Sequence, residues 1–279
     1  PPRADAGALR RRRVGHVEGL ERPPLGVGRH EELHLLDLLE HLARAEVARW
    51  GLGLDEPTLD GAVRGLQLAL NTPLGGAAGP TRLSQVPTFD RLDELTFHFP
   101  VAGGYGAASQ AVDPASIAAI LRAHRSAPDD WLQRLAGLGA RPLRGFLTGS
   151  IDLVFRKTVG GRPLWFLVDY KSNWLGEGDR SAVHHYGPQA LAQAMSHHHY
   201  HLQYHLYTVA LHRYLGWRMG SRWDYERDFG GVYYLFLRGM VGESAPRQPD
   251  GCSYGVFHAR PALAAVQALS DHLHQGAAP

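Results

Sequence analysis

The chain has one cysteine, Cys252, so no intramolecular disulfide can form and no metal site can be built on several thiolates. Long hydrophobic runs are missing too. The stretch "VYYLFL", 232–237, is among the longest, far short of the roughly 20 apolar residues a membrane-spanning helix needs. No charged-then-apolar leader opens the chain, and the expectation is a soluble, cytoplasmic protein. Charge of one sign is scarce as well. With 29 Lys and Arg against 27 Asp and Glu, the formal net charge is +2, so a polyanion partner would have to be met by a local patch. The phosphate loop G-x-x-x-x-G-K-[ST] is absent, which excludes an NTP-driven motor of that type within these residues. The first residue is Pro1 rather than Met, so the chain reads as an excised domain.

What is present divides unevenly. Residues 1–28 are rich in Pro, Gly and Arg without periodicity and read as a linker or tail. Residues 29–279 read as one domain with a catalytic core over about 90–275. "EELHLLDLLEHLARAEVARW", 31–50, carries an apolar stripe at helical spacing (Leu33, Leu36, Leu38 or Leu39, Ala43), and a second helix is expected over 59–71. In "ELTFHFPV" Leu95, Phe97 and Phe99 alternate with polar residues, as on a strand with one apolar face. One helical stretch is expected over 113–138, starting from Asp113 and Pro114, and one long helix over 188–215. The strand "GVYYLFLR" and a last helix near 261–274 follow. The order is that of a mixed α/β fold.

Two strongly apolar segments, "GFLTGSIDLVF" (145–155) and "LWFLVDYKSNW" (164–174), each hold an aspartate where a strand normally holds Val or Ile. Between them Gly160-Gly161 suits a two-residue hairpin turn. That turn pairs residue 159 with 162, and the same register brings Asp152 opposite Asp169, with Cβ atoms about 4.5–5.5 Å apart. Pro163 removes a donor beside the turn, yet any even-length widening preserves the pairing. Lys171, two residues beyond Asp169, falls on the same face. Two facing carboxylates in apolar surroundings repel, and a divalent cation removes that cost. Mg²⁺ fits, because it takes hard oxygens, uses one or two protein carboxylates and leaves the rest to water and a substrate phosphate. An adjacent ammonium suits a nucleophilic water and the charge of a phosphoryl transition state. An Asp-x-Lys pair by itself is more often a solvated strand face; Asp152 and the register separate this case from that one.

The segments "GFLTGSIDLVFR", "VDYKSNWLG", "YHLQYHLYTVALHRYLG" and "FGGVYYLFLRGM" resemble the C-terminal nuclease domain of the RecB family, the beta subunit of exodeoxyribonuclease V, a branch of the PD-(D/E)xK nucleases. The resemblance is dense from about 144 to 260 and thinner before. It implies a restriction-endonuclease-like mixed central sheet flanked by helices, with a helical N-terminal part. It also implies a Mg²⁺-dependent deoxyribonuclease acting on single-stranded and linear double-stranded DNA in double-strand-break repair. The implied partners are RecC-like and RecD-like subunits, the rest of the RecB polypeptide and RecA. Carried over by position, Asp152 resembles the first metal-binding Asp; Asp169 and Lys171 resemble the (D/E)xK pair, with the Tyr170 carbonyl facing the metal. Gln203 and Tyr207 match Q-x-x-x-Y, on one helix face beside the DNA; Glu94 resembles an acidic position on the preceding strand. The family's ligand histidine follows a glycine by four residues, as His30 follows Gly26, but the surrounding residues match weakly and His34 is the alternative. The run "HHHYH", 197–201, cannot converge on one ion, because consecutive helical residues point in different directions, and it is expected to face solvent or phosphate. Two other readings stay open: a nuclease-fold module that docks DNA or a recombinase without cutting, and a restriction-type endonuclease.

Overall fold

The computed structural model describes residues 29–102, 112–139 and 143–274, with only the backbone described for 29–36. The expected tail, 1–28, lies outside them. The helices are α1 (Arg29–Trp50), α2 (Glu56–Leu70), α3 (Pro114–Ala123), α4 (Asp129–Ala136), α5 (Pro188–His197), α6 (Tyr200–Met219), α7 (Tyr225–Asp228) and α8 (Leu263–His274). The strands are β1 (Arg91–Val101), β2 (Gly145–Val159), β3 (Arg162–Lys171), β4 (Phe229–Phe236) and β5 (Val256–Ala259). They form one sheet in the order β1-β2-β3-β4-β5, antiparallel throughout except for the parallel pair β3–β4. A parallel neighbour needs a crossover, and α5 and α6 lie in it. This is the expected mixed α/β architecture with a helical N-terminal part, compatible with a restriction-endonuclease-like fold.

The sheet is covered on both faces. One layer gathers Phe99, Trp131, Ile151, Leu167, Val209, Tyr234 and Leu269 from the strands, α4, α6 and α8. The other gathers Leu74, Leu83, Phe155, Phe166, Tyr233 and Val256. Every residue of β4 is buried, as befits a central strand packed on both sides. The hairpin register is the one the sequence implies: Val159 pairs with Arg162 and Leu153 with Val168, over Gly160 and Gly161, both at positive φ.

Two expected helices are each split. Between α3 and α4 the chain turns at Arg125, φ +49°, and Pro128 caps α4; a proline's missing N–H and ring are incompatible with a continuous helix. The Asp113 cap holds as expected, its carboxylate accepting the Ser116 N–H at 2.7 Å. The 188–215 helix breaks at His198–His199 without proline or glycine. His199 adopts a left-handed conformation, φ 55° and ψ 28°, and its Nδ1 accepts the Trp131 indole N–H at 3.1 Å. A tertiary contact thus overrides local propensity. Strand β5 has too little pattern to be anticipated. In the expected apolar stripe of α1, Leu39 and Ala43 are half-buried, whereas Leu38, and Leu42 outside the stripe, are about half exposed, 49% and 52%.

Candidate active site

Strands β2 and β3 deliver the two aspartates from opposite sides of one ladder. The next position after the Leu153–Val168 pair sets Asp152 beside Asp169, and the Tyr170 N–H donates to Asp152 Oδ2 at 2.8 Å. A side chain here takes the hydrogen bond of a main-chain acceptor. The strand alternation slips at the same place: Ile151 and Val154 belong to the core layer under α6, whereas Leu153 and Phe155 belong to the opposite layer. Across on β1, Asp93 pairs with Leu153 and Leu95 with Ile151, which leaves Glu94 facing Asp152. Glu94 has φ +52°, a left-handed conformation that costs a non-glycine residue on the order of 1–3 kcal/mol. Its side chain is exposed. The backbone is therefore irregular at the one level of the sheet that carries three acidic residues.

Asp169 is 2% exposed. The Lys171 ammonium contacts its Oδ2 as an ion pair. Burial pushes the Asp169 carboxyl up to about 6, with the nearby Asp152 adding to the rise and Lys171 opposing it. Lys171 in turn donates to Gln203 Oε1 at 3.1 Å and lies over the rings of Tyr200 and Tyr234, 4.2 and 5.0 Å from their centroids. An ammonium only donates, so the Gln203 oxygen must face it. The same oxygen accepts the Tyr234 hydroxyl at 3.0 Å, and Gln203 Nε2 donates to the Tyr207 hydroxyl at 3.0 Å. Burial raises the Tyr207 phenol and, more strongly, that of Tyr234, keeping both protonated.

Asp152, Asp169, Tyr170, Lys171, Gln203 and Tyr207 thus come together, with Glu94 alongside on the neighbouring strand. His30 and His34 fall on the backbone of α1; their side chains lie outside the described residues. Tyr234 was not foreseen as part of this network. Tyr233 and Tyr234 both bring a hydroxyl to a fully buried strand, a signal that each needs a partner but not which one: Tyr233 donates to the Gly75 carbonyl and Tyr234 to Gln203. Nor were Asn173 and the packing that fixes it: its Oδ1 accepts the Tyr200 hydroxyl at 3.1 Å, and its main-chain carbonyl accepts the Tyr186 hydroxyl at 3.1 Å. The histidine run is divided rather than uniformly solvent-facing. His197 and His198 are exposed, whereas His201 is buried and pushed down to about 4 by that burial.

The donor set fits a hard divalent cation. Two carboxylates lie close enough to repel, Asp169 buried and Asp152 on the neighbouring strand, with one ammonium, Lys171, against them. Among the described residues no group of three or more His, Cys, Asp or Glu side chains stands in metal-holding arrangement, so the protein side chains offered there are Asp152 and Asp169.

No family model matches the chain. It is 44% identical over 209 residues, 73% of its length, to the RecBCD enzyme subunit RecB of Mycolicibacterium smegmatis. With the corresponding subunit of Mycobacterium tuberculosis the identity is 42% over 247 residues, 85% of the chain. The chain belongs to the RecB family. The Escherichia coli RecB subunit is 52% identical over 134 residues, 48% of the chain. The alignments cover 19%, 22% and 10% of those relatives, so the chain spans about a fifth or less of a RecB polypeptide. The segments that resemble the RecB family lie on β2, β3, α6 and β4, the elements that carry the aspartates, the lysine, the glutamine and the tyrosines. Among the described residues no helix is long and apolar enough to cross a membrane.

Proposed function

We propose that this RecB-family chain is a Mg²⁺-dependent deoxyribonuclease domain. It would hydrolyse DNA phosphodiesters to 5′-phosphate and 3′-hydroxyl ends within a RecBCD-type helicase-nuclease that repairs double-strand breaks and degrades linear DNA. The observation that carries this reading is the convergence of Asp152, Asp169 and Lys171, with Asp169 buried and ion-paired to Lys171 beside a second carboxylate. Asp152, Asp169, the Tyr170 carbonyl and either His30 or His34 would hold the metal. When bound, Mg²⁺ supplies Lewis acidity and charge neutralisation at phosphoryl oxygens.

The chain's own groups have separable tasks. Asp169 and Gln203 engage two sides of the Lys171 ammonium, which has three donors, and the third is what it offers a phosphate oxygen or the attacking water. Held in low-dielectric surroundings, that charge acts more strongly than it would in water. Tyr200 and Tyr234 restrict its rotamers through their ring faces, and Tyr207 fixes the far side of Gln203. In hydrolysis a water oxygen forms the new bond to phosphorus, the bond to the 3′-oxygen breaks, and a proton ends on that leaving oxygen. The partners proposed are DNA, RecC-like and RecD-like subunits, the remainder of the RecB polypeptide and RecA. A module that docks DNA without cutting would have no need of a buried Asp-Lys pair facing a second carboxylate. The test is incubation of the chain with linear single- and double-stranded DNA, in Mg²⁺ or in EDTA. Degradation confined to the Mg²⁺ samples is expected; intact DNA in both would overturn the reading.

A further inference from the structure

Beside the Lys171–Gln203 contact, a cleft of about 260 Å³ opens between the β1–β2 ladder and α6. Phe97, Leu147 and Gly149 line it from the sheet, and Leu202, Leu206 and Tyr207 from the helix. All six are half-buried, so their apolar surfaces are covered by the core on one side and open on the other. The cleft has a built aromatic floor. Phe97 stacks on Phe99 at 5.6 Å between centroids and meets Tyr207 edge-on at 5.6 Å and 74°. Gly149 lets Phe97 lie flat on β2, since a Cβ at that position would come within 2.6 Å of the ring. Polar groups, Gln203 and Thr148 among them, also line the cleft.

We propose that this cleft receives one unpaired nucleobase of the strand being cut. The inference rests on the nuclease reading and names the form of its substrate. Three features carry it. The volume lies below the ~300–1,000 Å³ of sites for whole drug-sized ligands, which suits a single planar ring rather than a length of strand. Apolar walls with an aromatic floor match the faces of a base, while amide and hydroxyl groups match its edge. Gln203 belongs both to the cleft and to the Lys171 network, its two amide atoms at 3.1 Å from the ammonium and 3.0 Å from the Tyr207 hydroxyl. A phosphodiester at Lys171 therefore has its neighbouring nucleoside at the mouth of the cleft. A paired base cannot enter without leaving its stack, and the cleft consequently favours strands that arrive already unwound.

The test uses the full chain and a short single-stranded oligonucleotide in which one stable abasic residue is moved along the sequence. Binding is read by fluorescence anisotropy with Ca²⁺ in place of Mg²⁺, and cleavage of the unmodified strand is measured separately in Mg²⁺. Removal of the base at one position is expected to weaken binding about 5- to 150-fold, the span that base–aromatic stacking gives, with little effect elsewhere. Leu206→Trp, which fills the cleft without touching Lys171 or the aspartates, should reproduce the loss in unmodified strand and abolish the positional effect; circular dichroism checks its fold. Equal affinity for every abasic position in the wild-type chain would overturn the base pocket, even with Mg²⁺-dependent cleavage intact. Absence of cleavage with a clear positional effect would instead count against the nuclease reading and leave the pocket standing.

Discussion

Replacing Asp169 by Asn removes a charge that the fold itself disfavours. The carboxyl is 2% exposed and is pushed from 3.8 up to about 6, chiefly by burial. At about 1.4 kcal/mol per pKa unit, keeping it ionised above pH 6 costs roughly 3 kcal/mol. A raised carboxyl stabilises the folded state most below pH 3.8, where it is protonated in both states, and that contribution is lost as pH rises through about 6. The asparagine variant lacks the dependence. Against this gain stands Lys171, which loses its carboxylate but keeps Gln203 and two tyrosine rings. The expected net in EDTA at pH 8 lies between no change and about 3 kcal/mol of added stability, or up to roughly 6 °C in Tm for a chain of this size. The difference in Tm between variant and wild type should grow from pH 4 to pH 7. Calorimetry in EDTA across that range is the assay. A difference that is flat with pH, or a variant that melts several degrees lower at pH 8, would refute the reasoning. Mg²⁺ should then raise the wild-type Tm and leave the variant's unchanged, since only a ligand bound to the folded state stabilises it.

Four further outcomes are expected. Lys171→Ala should leave the circular dichroism unchanged and lower Mg²⁺-dependent cleavage by about 10²- to 10³-fold, the usual effect of losing one group that stabilises transition-state charge. Of His30→Ala and His34→Ala, one should weaken Mg²⁺ affinity and activity by about 10-fold or more and the other should be nearly silent; equal small effects would remove α1 from the site. Tyr207→Ala should reduce single-stranded DNA affinity by about 5- to 150-fold with Mg²⁺ affinity unchanged, whereas Tyr207→Phe keeps the ring and loses only the bond to Gln203; a lowered Tm with normal affinity would make Tyr207 a packing residue. His205, fully buried with its Nε2 2.7 Å from Ser126 Oγ, is pushed down to about 4 by burial. Its neutral form therefore supports the fold above pH 6.5, and this support is lost as pH falls towards 4, opposite in sign to Asp169. His205→Gln should flatten that part of the acid unfolding curve; an unchanged curve would count against it.

Much of the site was legible because its determinants are local. A two-residue glycine turn fixes the register, which runs as expected to the Leu153–Val168 pair, one position short of Asp152 and Asp169, and the Lys171 ammonium meets Asp169. The i, i+4 spacing likewise put Gln203 and Tyr207 on one face of α6. What could not be read depends on tertiary contact. Nothing local marks Tyr234 as the second donor to Gln203, since its role arises from a parallel pairing across a crossover of more than fifty residues. The break at His199 depends on Trp131, which is distant in sequence. The left-handed Glu94 was invisible for the same reason: its strand reads as regular alternation, and the irregularity appears only where β1 meets Asp152 on β2.

The most direct measurement compares wild type with Lys171→Ala, both shown to be folded, in degradation of linear single-stranded DNA with Mg²⁺ or EDTA. Rapid loss of full-length DNA with wild type in Mg²⁺ is expected, with almost none in EDTA or with the variant. Equal rates for the two proteins, or degradation that persists in EDTA, would contradict the assignment of Asp152, Asp169 and Lys171 as the cutting site.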